Sequence, residues 1–119
     1  MKIQITGRGL ELTQPIKDHV TKKINALNKF YNNRISKAEV ILGINSRHSH
    51  QGNMFMAECK LHLPGKELFA AKLEENLYKA VDLVRDFLEI EIKKHKLKQR
   101  VTEKEKKVRR QAKEYEIEL

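Results

Sequence analysis

One cysteine, no tryptophan and two prolines among 119 residues close off several kinds of protein at once. A lone Cys59 excludes a disulfide framework and suits a reducing compartment. No apolar run approaches the ~20 residues that a membrane-spanning helix needs. The opening Met1-Lys2-Ile3-Gln4-Ile5 reads as a strand and not as a secretory signal. A cytoplasmic location with no membrane partner is the expectation. No internal repeat or low-complexity tract precedes the charged carboxy-terminal segment.

Catalytic chemistry is scarce too. Gly7-Arg8-Gly9 lacks the third glycine and the spacing of a phosphate-cradling loop. His48-x-His50 sits in a polar stretch with no thiolate or carboxylate at ligand spacing, so no metal site is expected. Cys59 falls on the inward face of a strand, where a nucleophile has neither exposure nor a base. His62 receives no role. Glu74-Glu75 precedes a helix and favours its positive end better than it suits acid–base work. The reading is of a protein that is no enzyme and takes no cofactor, no metal and no small-molecule substrate.

What is present is charge and one core's worth of apolar residues. The chain is 39% hydrophobic and 34% charged, with a formal net charge of +9. That length and apolar share fit one domain. The excess is uneven. Residues 1–92 hold 14 Lys/Arg against 11 Asp/Glu, whereas residues 93–119 hold 11 against 5. The basic run ends in the acidic Glu114-Tyr115-Glu116-Ile117-Glu118-Leu119. A chain so charged suits an anionic partner. Domain organisation follows the charge, with a compact unit over residues 1–98 and a tail over 99–119, either a helical extension or disordered.

Hydrophobic periodicity supplies the elements. Ile3 and Ile5 alternate with polar residues over 2–6, a short strand that Gly7-Arg8-Gly9 breaks. Thr13 can cap a helix with Pro15 in its first turn. Ile16, Val20, Ile24 and Leu27 form its apolar stripe, which stops near Asn32-Asn33. Residues 35–44 alternate again. Asn45–Gly52 reads as a loop. Residues 53–63 form the cleanest strand, with Phe55, Ala57, Cys59, Leu61 and Leu63 on one side. Pro64-Gly65 marks a turn and residues 67–72 a fourth strand. Asn76 caps a last helix whose stripe is Leu77, Ala80, Val81, Val84, Leu88 and Ile92, with Leu97 and Val101 as its extension.

Strand, helix, three strands, helix is an α+β order. Both helix stripes are buried if both helices lie on one face of an antiparallel-rich four-stranded sheet, a two-layer sandwich resembling double-stranded-RNA-binding domains. The other face carries Gln4, Thr6, Glu58, Lys60 and His62 and can stay wet. It lacks the aromatic pair that stacks bases in single-strand-binding sheets. The helices' outer sides are then neighbouring cationic ridges: Lys17, Lys22, Lys23 and Lys29 on the first, Lys79, Lys93, Lys94, His95, Lys96 and Lys98 on the second. Two lines of cations suit a folded RNA backbone.

Several of these residues also carry a family likeness. Ile5-Thr6-Gly7, Leu12-Thr13, Val20-Thr21 and Arg34-Ile35, then Leu77-Tyr78-Lys79-Ala80-Val81-Asp82 and Lys94-His95-Lys96, resemble in order and spacing the bacterial ribosome hibernation promoting factors and ribosome-associated inhibitors over residues 1–98. The resemblance implies a noncatalytic stress or stationary-phase factor. It would bind rRNA in the decoding channel of the small ribosomal subunit and block transfer-RNA and messenger-RNA occupancy. Positions matching the family's basic pattern are Lys17, Lys23, Lys94, His95, Lys96 and Lys98; Lys22 and Lys79 come from the surface argument alone. Long-form members carry a further carboxy-terminal domain for which 119 residues leave no room.

In the middle of the second helix the chain departs from the family, with Phe87 and Ile90 beside Glu89 and Glu91 where basic residues are usual. Leu83, Phe87 and Ile90 are either a wider buried face or a contact for a second copy or another protein. A protein-interaction regulator, such as a transcription-factor modulator, and a general duplex-RNA binder are the alternative readings.

Overall fold

The computed structural model describes residues 1–45 and 54–117. In chain order it has β1 (Lys2–Arg8), α1 (Gln14–Asn25) running into a 3-10 turn (Ala26–Tyr31), β2 (Lys37–Asn45), β3 (Met54–Leu63), β4 (Lys66–Glu74) and α2 (Leu77–Ile117). The element order matches the sequence reading. His48, His50 and most of the expected loop lie outside the described residues.

The four strands lie in the order β1-β2-β3-β4. β2–β3 and β3–β4 are antiparallel, with Val40 opposite Cys59 and Cys59 opposite Ala70. β1 instead pairs parallel to β2, Ile3 with Ala38 and Ile5 with Val40. The sheet is therefore mixed and antiparallel-rich, in keeping with the sequence expectation. The cause is the connection: α1 and the 3-10 turn carry the chain back across the sheet, so β2 starts at the end where β1 started.

Turn chemistry sets the element ends. β1 continues through Gly7 and Arg8, and the break falls at Gly9, whose φ is +74°. Gly7 answers a close approach instead, since a Cβ there would lie 3.0 Å from both the Leu10 carbonyl oxygen and Leu12 Cγ. The 3-10 turn closes on Asn32 and Asn33 at φ of 54° and 57°, left-handed values that asparagine tolerates. Asn28 Oδ1 accepts the Ile35 N–H at 3.0 Å and ties the turn to β2. Thr13 occupies the cap position of α1 without a side-chain capping bond. Asn76 does cap α2, its Oδ1 accepting from the Tyr78 N–H at 2.9 Å and the Lys79 N–H at 3.3 Å.

Both helices cover one face of the sheet. Val20, Ile24 and Leu27 from the first helical segment, and Ala80, Val84, Leu88 and Ile92 from α2, pack on Val40, Leu42, Cys59 and Leu61. Fully burying one such side chain stabilises by roughly 1.5–3 kcal/mol. Cys59 sits in this core, and burial pushes its thiol up to about 12. Leu97 and Val101 do not extend the buried stripe; they are exposed, because at 100° per residue they lie on the side of α2 away from the buried Ile92. α2 runs unbroken through residues 99–117, about 60 Å in all at 1.5 Å per residue. No described helix is long and apolar enough to cross a membrane.

The open sheet face is mostly polar but not wholly so. Phe69 and Leu73 on β4 are exposed there. Three of the cationic or titratable groups on this face are matched by acids, while Lys2 and Arg8 at its β1 edge have no ion-pair partner among the described residues. Lys37 lies 3.1 Å from Glu39, Lys60 3.8 Å from Glu67, and His62 bridges Glu39 at 3.1 Å and Glu67 at 3.4 Å. The His62 hydrogen bond, then Lys37, holds the Glu39 carboxyl below its usual value.

Candidate nucleic-acid interface

The helix-covered side presents a different electrostatic surface, centred where α2 crosses the 3-10 turn. The turn offers Phe30, half-buried, and Tyr31, buried. Three cations lie near the Phe30 ring: Lys29 at 5.2 Å, Arg85 at 5.7 Å and Lys93 at 5.1 Å from its centroid. Lys96 Nζ donates to the Phe30 carbonyl oxygen at 3.0 Å. Arg34 lies 6.0 Å from the Tyr31 ring, and His95 stacks with that ring at a centroid distance of 5.8 Å and an interplanar angle of 24°. Four cationic side chains, from the turn, the segment after it and one helix, thus gather round two aromatic rings, whose faces attract positive charge, with Lys96 as a fifth on the backbone beside them.

One carboxylate lies among them. Glu89 pairs with Arg85 at 3.3 Å and with Lys93 at 3.7 Å. On sequence it weakens a basic ridge; in the structure it fixes the direction of two cations while leaving the cluster positive. Glu91, two residues on, turns to the other flank of α2 and pairs with Lys94 at 3.5 Å.

A second contact joins the helices near their starts. His19 Nε2 lies 2.9 Å from Asp82 Oδ1, Lys23 Nζ lies 3.8 Å from the same oxygen, and the His19 ring meets Tyr78 edge-on at 4.9 Å. Lys23 therefore faces α2. Lys17, six residues earlier, falls on the far flank of α1, and Lys22 points outward between them. Lys17 and Lys22 are exposed and have no ion-pair partner among the described residues. Lys79 is exposed at the start of α2, 3.9 Å from Glu74.

The expected second ridge is divided. Lys94 and Lys98 turn toward β4 and line an open groove of about 260 Å³ with Lys66, Glu67 and Glu91. Lys96 turns the opposite way, into the 3-10 turn. His95 lies between them, half-buried, with its Nε2 shielded and unpartnered. Successive residues on a helix are 100° apart, so a run of basic residues cannot form one line. Phe87 and Ile90 are both exposed, so the wider buried face is not what forms. Sequence reasoning gave Arg34, Arg85 and His19 no binding role; Arg34 figured only in the family likeness. The aromatic pair Phe30-Tyr31 between basic residues is the signal that points to the first two. No grouping of three or more metal-ligating side chains exists among the described residues.

Residues 3–100 match the sequence profile of the family described as Sigma 54 modulation protein / S30EA ribosomal protein. The chain belongs to this family. Among curated S30EA relatives, the ribosome hibernation promoting factor of Pseudomonas putida is 31% identical over 99 residues, covering 83% of this chain and 90% of the relative. The protein of the same name from Azotobacter vinelandii is 32% identical, covering 83% and 86%. Among solved structures, the N-terminal domain of Protein Y from Thermus thermophilus superposes with a TM-score of 0.69 at 30% identity, over 80% of this chain and 99% of that one. A ribosomal subunit interface protein from Coxiella burnetii gives 0.69 at 27% identity, over 82% and 99%. The four-stranded sheet with two helices is thus the S30EA fold. The match ends at residue 100, leaving the outer part of α2 beyond it.

Proposed function

We propose that this chain is a ribosome hibernation factor that binds the small ribosomal subunit through rRNA in the decoding channel. It inhibits translation there by occupying the space that transfer RNA and messenger RNA need. The observation that carries the reading is the cluster of Lys29, Arg34, Arg85, Lys93 and Lys96 around Phe30 and Tyr31 in a chain of the S30EA family. Names of the relatives, hibernation promoting factor and subunit interface protein, support the same partner.

The chemistry is electrostatic and shape-based. Exposed cations at several heights contact phosphates, release counterions and give affinity without reading sequence. Lys17, Lys22, Lys23 and Lys79 extend the cluster along the helix side. Lys94, His95 and Lys98 form a second approach on the β4 flank. Lys96, already bonded to the Phe30 carbonyl, positions the turn. Nothing in this account needs catalysis, and the protein acts in the cytoplasm where ribosomes are.

Co-sedimentation with purified small subunits across a salt series tests the proposal. Binding should be firm at low salt, and each phosphate contact should steepen the fall of log affinity against log salt by somewhat under one unit. Failure to sediment with subunits at low salt overturns it. Equal affinity for arbitrary RNA duplexes would point instead to a general duplex binder.

A further inference from the structure

The sheet ends in two edge strands, β1 and β4, and they differ. On β1 the side chains that face away from the helices are Lys2, Gln4, Thr6 and Arg8, polar along the whole strand. On β4 they are Glu67, Phe69, Ala71 and Leu73, all exposed, Phe69 at 55% and Leu73 at 45%. The backbone of these same β4 residues points off the edge. Leu63 and Lys66 close the Pro64-Gly65 hairpin, and the His62 carbonyl oxygen accepts from the Ser36 N–H, on the side away from β4. Alternation along the antiparallel ladder then turns Lys66, Leu68, Ala70, Lys72 and Glu74 to β3 and leaves Glu67, Phe69, Ala71 and Leu73 outward. No backbone group elsewhere among the described residues bonds to them. An edge this apolar is a template for another strand.

We infer that β4 pairs with β4 of a second copy of this chain, antiparallel about a twofold axis at Ala70, so that two sheets become one. The strand is complementary to itself when reversed. Lys66 stands opposite Glu74 of the second copy, twice by symmetry. Phe69 stands opposite the small Ala71, with the second copy's Phe69 and Leu73 as diagonal neighbours within reach of its ring. Outward residues meet outward residues throughout, so their N–H and C=O groups pair. Lys72, opposite Leu68, already turns to the Phe87 ring at 4.9 Å, and Glu67, opposite Leu73, is held by His62 at 3.4 Å. A parallel pair would instead set Lys66 by Lys66 and Glu74 by Glu74, and β1 of another copy offers only a polar row to Phe69 and Leu73. The groove beside residues 66–69 supplies a further match. It is lined by Lys66, Lys94 and Lys98, and Glu74 and Glu75 of the second copy arrive at its mouth. This pairing needs no ribosome, so it stands or falls apart from the proposed function.

Analytical ultracentrifugation of the full chain alone, across the micromolar range, is the test. The expected result is a reversible shift from 14.0 kDa to twice that mass. Lys66→Glu chains and Glu74→Lys chains, each alone, set like charges opposite each other twice and should dimerise roughly tenfold more weakly. Their equimolar mixture restores both pairs, one on each side of the axis, and should dimerise as the parent does. Ala71→Pro removes an N–H that no strand of the same chain uses, and should stay at 14.0 kDa. A monomer of the parent throughout the range overturns the inference, as does a dimer that Ala71→Pro and both charge variants leave unchanged. A mixture that dimerises no better than its two components overturns the antiparallel register.

Discussion

From Leu77 to Ile92, every third or fourth residue of α2 is buried against the sheet; from Lys93 outward no described side chain is. The charge changes at the same place. Residues 77–92 carry two basic and four acidic side chains, whereas residues 93–119 carry eleven and five. One continuous helix therefore has an inner half defined by packing and an outer half defined by charge and an open apolar strip. Fold stability belongs to the first. The proposed rRNA contact draws on the second, on Arg85 of the first and on the turn that α2 crosses.

Substituting equivalent leucines on the two sides of that boundary should break the comparison most visibly. Leu88→Ala leaves a cavity under the inner half, and urea unfolding should show a loss of about 2–5 kcal/mol. Leu97→Ala, measured on dilute protein, should change stability by less than ~0.5 kcal/mol. Comparable losses at both sites would mean that the outer half is packed as well.

Cys59 reports on the core that the inner half helps to cover. Its thiol, buried and pushed up to about 12, should resist an aromatic disulfide reagent at neutral pH and react fully in denaturant. Rapid labelling of the native protein would show that the cover opens readily.

The start of the inner half is a smaller lever. Asn76→Ala removes the acceptor for the Tyr78 and Lys79 N–H groups and should cost about 1 kcal/mol in the same urea assay. No loss would mean that packing alone sets where α2 begins. The smallest effect is expected on the open sheet face. Glu39 is held below its usual 4.5 by His62 and Lys37, so its contribution is fully present above that pH and is lost as the pH falls through the lowered value. Glu39→Gln should flatten the acid side of the stability profile slightly; an identical profile would show that the His62 bridge contributes nothing.

Much of the fold was legible because period-two and period-3.6 patterns are local. Val40 and Cys59, and Leu88 and Ile92, announce their buried faces within a few residues. The parallel partner of β1 was not legible in the same way, since strand pairing depends on where α1 returns the chain. The candidate surface was legible as charge and less so as shape. Lys94, Lys96 and Lys98 are close in sequence, yet helical rotation sends Lys96 to the Phe30 carbonyl and the other two toward β4. The cluster at Phe30 joins Lys29 and Arg34 to Arg85 and Lys93, more than fifty residues away. Only the folded chain brings them together. Phe87 and Ile90 were visible as a departure from the family, and their exposure sets aside the wider buried face.

The central claim is that ribosome affinity resides at the crossing of α2 and the 3-10 turn. It is tested most directly by small-subunit binding of two double charge reversals. Lys29→Glu/Lys93→Glu alters the Phe30 cluster, while Lys37→Glu/Lys60→Glu alters the acid-matched open sheet face. The account predicts at least a tenfold weaker affinity and a salt slope shallower by about two for the first, with the second within about twofold of the parent. An unchanged affinity for the first, or a larger loss for the second, would contradict it.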